Sequence, residues 1–198
     1  MRAAHAELVR MSAPRREEEE RMARTNNVDV EKIRSFMEQV KADPSKARKT
    51  QVIEGEWVLR EGGPQFRSHV TFESGDATLE TDNPTFMGGG GALPGPMHYC
   101  FYGLAACYTG VFAAAATELG VRLDSLTTRV EADLNFATVF GVSDEPIMEE
   151  VRVILNVVSS SGEAAVREAE RLALERCPVV YTLRHQIRLV PSLHISAG

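Results

Sequence analysis

Residues 99–117 read YCFYGLAACYTGVFAAAAT, 19 positions without a formal charge. A run of that length matches a membrane-spanning helix. Its composition argues for something else. Gly103, Tyr108, Thr109, Gly110 and the four alanines 113–116 stand where a span would carry dense Leu, Ile and Val, and no Lys or Arg closely anchors either flank. Positions 97–119 therefore read as a helix buried on nearly all sides of a soluble core and ended by Gly120. The Gly and Ala residues leave one side of this helix very small. Small side chains admit a second backbone closely, so the pattern predicts tight helix–helix packing, of the kind found across a dimer axis.

Working upstream, Gly88–Gly91 followed by Pro94 and Pro96 predicts a flexible loop leading into the helix start. Before it, the apolar period is two: a strand across 52–60 around Trp57, a turn at 61–64, a second strand over 67–73 and a third over 77–81. Earlier still, Val30, Ile33, Phe36, Met37 and Val40 fall at helical spacing between Asp29 and Asp43, and Pro44 stops that helix. Its apolar stripe predicts that it docks on the rest of the protein. Downstream, strands are expected over 126–135 and 149–159, a loop over 136–147, a helix over 162–176 and a final strand over 186–190. The order β-β-β-α-β-β-α-β is that of an α+β domain and not of a doubly wound sheet. Residues 1–27 read as an N-terminal appendage, partly helical or disordered, with the charge run Arg15–Arg21, and 28–198 as the folded domain.

The whole chain has 198 residues, 43% of them hydrophobic and 25% charged, enough for one domain with a real core. A net charge of −6 with no basic stripe argues against a nucleic-acid partner. The first 24 residues hold no uninterrupted apolar stretch, so no export signal is expected, and with no membrane span the expected compartment is the cytoplasm, where thiols stay reduced unless they do chemistry.

Three cysteines are too few for a disulfide scaffold, so each is weighed as a chemical group. Cys100 and Cys107 share nearly one helix face but stand roughly 10 Å apart along it, too far to bridge. Cys107 by itself reads either as a small buried hydrophobe or as a reactive thiol. Cys177 sits where a helix ends, between Arg176 and Pro178; a neighbouring cation and a restarting helix both favour a thiolate. A zinc set of His98, Cys100, Cys107 and Cys177 lacks any short chelating pair. The Gly run is not followed by the Gly-Lys-Ser/Thr of a phosphate loop, so no cofactor and no metal are expected.

Four features in chain order resemble the osmotically inducible protein C / organic hydroperoxide resistance (OsmC/Ohr) family. They are the Gly-rich loop with Pro94-x-Pro96, the helix segment Gly103–Cys107, Phe140-Gly141-Val142-Ser143, and the stretch Arg176–Leu183. The likeness covers about 28–190. The leading helix, with Asn27-Val28-Asp29-Val30 and Asp43-Pro44, is similar to a longer OsmC-like subgroup. The resemblance implies antiparallel sheets wrapped around long central helices in an intertwined homodimer. It implies a cysteine-based peroxidase of oxidative-stress defence that reduces organic hydroperoxides to alcohols. Cys107 matches the peroxidatic thiol that becomes a sulfenate, and Cys177 the resolving thiol. An external dithiol resets the enzyme, a lipoylated protein in some relatives. Arg67 of the first hairpin, with Arg60 as the other candidate, matches the residue that steadies the thiolate. Cys100 matches neither family cysteine. One departure stands out: the family carries Pro-Glu-Glu or Pro-x-Glu where this chain reads Pro96-Met97-His98, so the acid that holds the arginine is missing. His98, nine residues before Cys107, is not expected to touch it within one straight helix. That departure keeps an alternative open: an OsmC-like dimer without efficient peroxidase activity that binds a small apolar ligand or serves a structural role.

Overall fold

The computed structural model describes residues 24–196; the charge run at 15–21 and the rest of the expected appendage up to 23 lie outside them. The first helix, α1 (Val30–Ala42), opens on Asp29, whose carboxylate accepts from the Lys32 N–H at 3.1 Å. It ends at Asp43, which caps a single 3₁₀ turn, Pro44–Ala47. The apolar stripe of α1 is only partly covered: Val30, Ile33 and Val40 are half-buried, whereas Phe36 and Met37 are exposed, which corrects the expectation of a fully docked stripe. The lead-in is tied down as well. Asn26 and Asn27 adopt positive φ, a region Asn tolerates better than most residues. The Asn26 amide donates to Thr117 Oγ1 at 3.1 Å and the Val121 carbonyl at 2.8 Å, and its oxygen accepts from the Leu123 N–H at 2.9 Å.

Three antiparallel strands follow: β1 (Gly55–Trp57), β2 (Phe66–Phe72) and β3 (Gly75–Thr81), in that spatial order. The register sets Gly55 against Ser68 and Phe66 against Thr81. One face therefore carries Trp57, Phe66, Val70 and Leu79, and the other Glu56, Arg67, His69 and Glu80. β1 is shorter than the expected 52–60 strand. It pairs only where Gly55 lets β2 close in: a Cβ there would lie 2.7 Å from the Arg67 carbonyl oxygen.

Buried Asp82 organises the Gly-rich loop. Its carboxylate accepts from the Gly90 and Ala92 N–H groups at 3.1 and 3.0 Å, and these bonds hold its pKa below the usual carboxylate range. The loop delivers the chain to α2 (Pro96–Glu118), with Pro96 in the first turn. Tyr99 ties this start to the sheet by donating to the Glu80 carbonyl at 2.9 Å.

After α2 come β4 (Ser125–Glu131), the short helix α3 (Phe136–Val139), β5 (Arg152–Val158), α4 (Glu163–Arg176) and α5 (Pro178–Arg184). β4 and β5 form an antiparallel pair. The core is assembled on α2 from Leu104, Tyr108, Phe112, Ala115 and Ala116, against Ala169, Leu172 and Ala173 of α4 and Val180 of α5. Val130 of β4 and Val153 and Leu155 of β5 back it. This is an α+β fold with antiparallel sheets and a long central helix, as the sequence predicts.

Three expectations need correction. α3, capped by Asn135, lies within the expected 136–147 loop. No strand forms at 186–190, which have no regular structure and no ladder partner among the described residues, and the segment before it is α5. Finally, α2 is not buried on nearly all sides. It is long and apolar enough to cross a membrane by length and composition, and its inner face belongs to the core just described. On its outer face Cys100, Tyr102, Gly103, Ala106 and Gly110 are exposed, and a Cβ added at Gly103 or Gly110 would meet nothing within 4 Å. No element of the described chain covers that stripe.

Candidate functional site

Cys107 lies in the middle of α2, at the edge between its packed and its open face. Cys177 lies 70 residues later, at the corner between α4 and α5. The corner has a local cause. Cys177 still donates its N–H to the Ala173 carbonyl at 3.0 Å, closing the last turn of α4, while its own backbone is extended (φ −72°, ψ 117°). Pro178 disfavours helical geometry at the residue before it and suits the first turn of the helix after it. The chain therefore bends at Cys177 and restarts as α5, with the Tyr181 N–H bonded to the Cys177 carbonyl at 2.9 Å. Packing of α4 and α5 on α2 turns the Cys177 side chain inward, where it is fully buried.

The two sulfurs meet. The Cys177 thiol donates to Cys107 Sγ at 3.4 Å. A disulfide needs about 2.05 Å between sulfurs, so a shift of ångström scale separates the contact from a bond. Cys107 is partly exposed and Cys177 is not, so a molecule from solvent reaches Cys107 first. Burial pushes the Cys107 thiol upward, and the neighbouring Cys177 adds to this; the Val179 backbone N–H pulls the other way.

The remaining expected site residues are placed as follows. Arg67 lies on the polar face of β2, where its Nη2 and Nε contact Glu56 at 2.6 and 2.8 Å, and it is not among the groups that hold Cys107. Arg60 is exposed beyond the end of β1. Arg176, expected beside the Cys177 thiol, is drawn to Glu118 at 2.9 Å. His98 does not reach toward Cys107; its Nδ1 accepts the Gly95 N–H at 3.1 Å and so caps the start of α2. Cys100 is exposed with no thiol partner, and no group of three or more His, Cys, Asp or Glu capable of holding a metal occurs among the described residues. Sequence reasoning missed the Val179 N–H, because only the α5 restart brings that amide to Cys107.

A pH prediction follows from the burial of Cys107. A thiol whose pKa is raised is neutral at pH 7 and becomes thiolate only above the ordinary thiol range. In an Arg67→Ala protein, which lacks the expected cation, alkylation of Cys107 by iodoacetamide is predicted to be slow at pH 7 and to keep accelerating as the pH rises through and beyond the ordinary thiol range. A plateau already reached near neutrality would mean that another group holds the thiolate.

Comparison with known proteins places this geometry. Residues 88–191 match the family model described as OsmC-like protein. That span takes in the Gly-rich loop, α2, α4, α5 and both sulfurs. No curated protein matches the chain. Among solved structures, it is similar to an OsmC-like protein of Mycoplasma pneumoniae (20% identity, TM-score 0.50, covering 69% of this chain and 88% of that one). It is also similar to an OsmC-like protein of unknown function from Vibrio cholerae (15% identity, TM-score 0.50, 68% and 94% covered). At these identities the likeness is one of fold.

Proposed function

We propose that this chain, which belongs to the OsmC-like protein family, is a thiol-dependent reductase of organic hydroperoxides acting in oxidative-stress defence. The observation that carries the reading is the 3.4 Å contact between sulfurs 70 residues apart in sequence. Two free thiols in contact, one half-buried and one buried, are suited to being oxidised together. The thiolate of Cys107 attacks the terminal oxygen of R–O–OH; the O–O bond breaks, the alkoxide leaves and takes a proton as R–OH, and Cys107 becomes a sulfenic acid. Cys177 then attacks that sulfur, a disulfide forms, and water leaves. An external dithiol, free or on a lipoylated protein, exchanges with the disulfide and restores both thiols as its own sulfurs pair.

The same reading includes a homodimer. The small-residue stripe of α2 is covered by none of the described residues, and residues 186–196, outside any strand, leave Ile187, Leu189, Leu193 and Ile195 exposed at alternating positions on either side of Pro191. A second copy covering both would bury them and would be the route by which Arg67 approaches Cys107. Light scattering at micromolar concentration is expected to give twice the 21.8 kDa of one chain; a monomer mass would remove this part.

The alternative, a family member without efficient peroxidase activity, draws on one observation: His98, at a position where the family acid is expected, is used to cap α2. The two readings separate in one assay. With cumene hydroperoxide and excess dithiothreitol, the peroxidase reading expects cumyl alcohol to form well above the rate of the dithiol alone. No acceleration over the dithiol would leave the alternative standing.

A further inference from the structure

A cleft lies on the packed side of α2, away from its open stripe. Its volume is about 560 Å³, within the range that small-molecule sites occupy. The floor is apolar, built from Leu104, Val151, Val153, Leu174, Val180 and Leu183. Neither sulfur lines it, so the chemistry described above does not account for it.

One polar atom faces this floor. Tyr108 is 3% exposed and lines the cleft, yet its hydroxyl has no hydrogen-bond partner among the described residues. Among those residues no buried side-chain nitrogen or oxygen lacks a partner, so the Tyr108 oxygen is not sealed; it opens into the cleft. A buried ring whose only polar atom points into a cavity is a built contact, because a ligand atom there meets an unused donor and acceptor.

Charge around the cleft selects the ligand. Glu149, Glu150, Glu170 and Arg184 line it. Glu150 is engaged by Arg152, whereas Glu149 and Glu170 have no ion-pair partner among the described residues. Burial pushes the Tyr108 hydroxyl up to about 12, and the charges of Glu170 and then of Cys177 add to the rise. Three carboxylates against the single guanidinium of Arg184 make the charged lining of the cleft acidic.

We propose that this cleft binds a primary amine with an apolar tail: the ammonium between Glu170 and the Tyr108 oxygen, the hydrocarbon on the Leu104–Val180–Leu183 floor. An alcohol of the same length keeps the floor and the Tyr108 bond but loses the charge contact. A carboxylate of that length meets Glu170 and is repelled.

The test is calorimetric titration of the full-length protein at pH 7 with octylamine, octanol and octanoate. Octylamine is expected to bind tightest and octanoate weakest, with about a tenfold gap between amine and alcohol. Glu170→Gln is expected to close that gap and leave octanol unchanged. Tyr108→Phe is expected to weaken both amine and alcohol while the unfolding temperature stays the same or rises, because no protein bond is lost. Octanoate binding as well as octylamine, no binding of any of the three, or an amine affinity untouched by Glu170→Gln would each overturn the proposal. So would a fall in the unfolding temperature of Tyr108→Phe, since it would show that the hydroxyl already has a structural partner.

Discussion

Cys107→Ser is expected to reduce hydroperoxide consumption to the background rate of the dithiol, whereas Cys177→Ser is expected to leave the first oxidation intact and stop turnover. The asymmetry follows from exposure. Cys107 is the partly exposed cysteine of the pair, and Cys177 is fully buried. Serine keeps the size and hydrogen bonding of the site roughly unchanged, but its hydroxyl is far too weak an acid to supply the nucleophile, so the loss is chemical rather than structural. In Cys177→Ser the sulfenic acid has no thiol at 3.4 Å to trap it. It should persist long enough for capture by dimedone, one adduct per chain, with over-oxidation to the sulfinic acid under excess hydroperoxide. If Cys107→Ser consumed hydroperoxide as fast as the wild type, the redox reading would fail.

The second large effect is on stability. Phe112 is 1% exposed and sits in the cluster that joins α2 to α4 and α5. Phe112→Ala removes most of a buried ring and leaves a cavity, at a cost of about 3–5 kcal/mol. Set against a total stability of roughly 5–15 kcal/mol, that is a large fraction. For a chain of this size the unfolding temperature is expected to drop by about 10 °C. Leu59, 91% exposed, supplies the control: Leu59→Ala should leave the midpoint nearly unchanged. A shift of similar size in both variants would mean that the cluster on α2 is not where the stability resides. The prediction bears on function because the same packing brings α4 and α5 onto α2, and with them Cys177 onto Cys107.

What the chain discloses without coordinates divides along a physical line. The long helix is legible because its signals are local: an uncharged run, a proline at the start and Gly120 at the end, where φ is +72°. The two sulfurs are legible as candidates, since one lies in that helix and the other in Arg-Cys-Pro. Their contact is not, because it is made by the packing of three helices. α5 escapes a reading by period because Val179 and Val180 give its short sequence a strand-like look; its signals are Cys177 and Pro178 at the first turn. The strand expected at 186–190 shows the reverse failure. The alternation is present, but a ladder needs a neighbour, and the described residues offer none there. Likewise Phe36 and Met37 on the stripe of α1 find no surface among the described residues that covers them. Adjacency in sequence sets Arg176 beside the Cys177 thiol, but a side chain that long goes to its best partner, here Glu118.

Disulfide mapping of the wild-type protein after one equivalent of an organic hydroperoxide tests the central claim most directly. The account predicts a single cross-linked peptide joining Cys107 to Cys177, with Cys100 recovered as a free thiol. Oxidation that spares Cys107, or that pairs Cys100 while leaving Cys177 reduced, would contradict it.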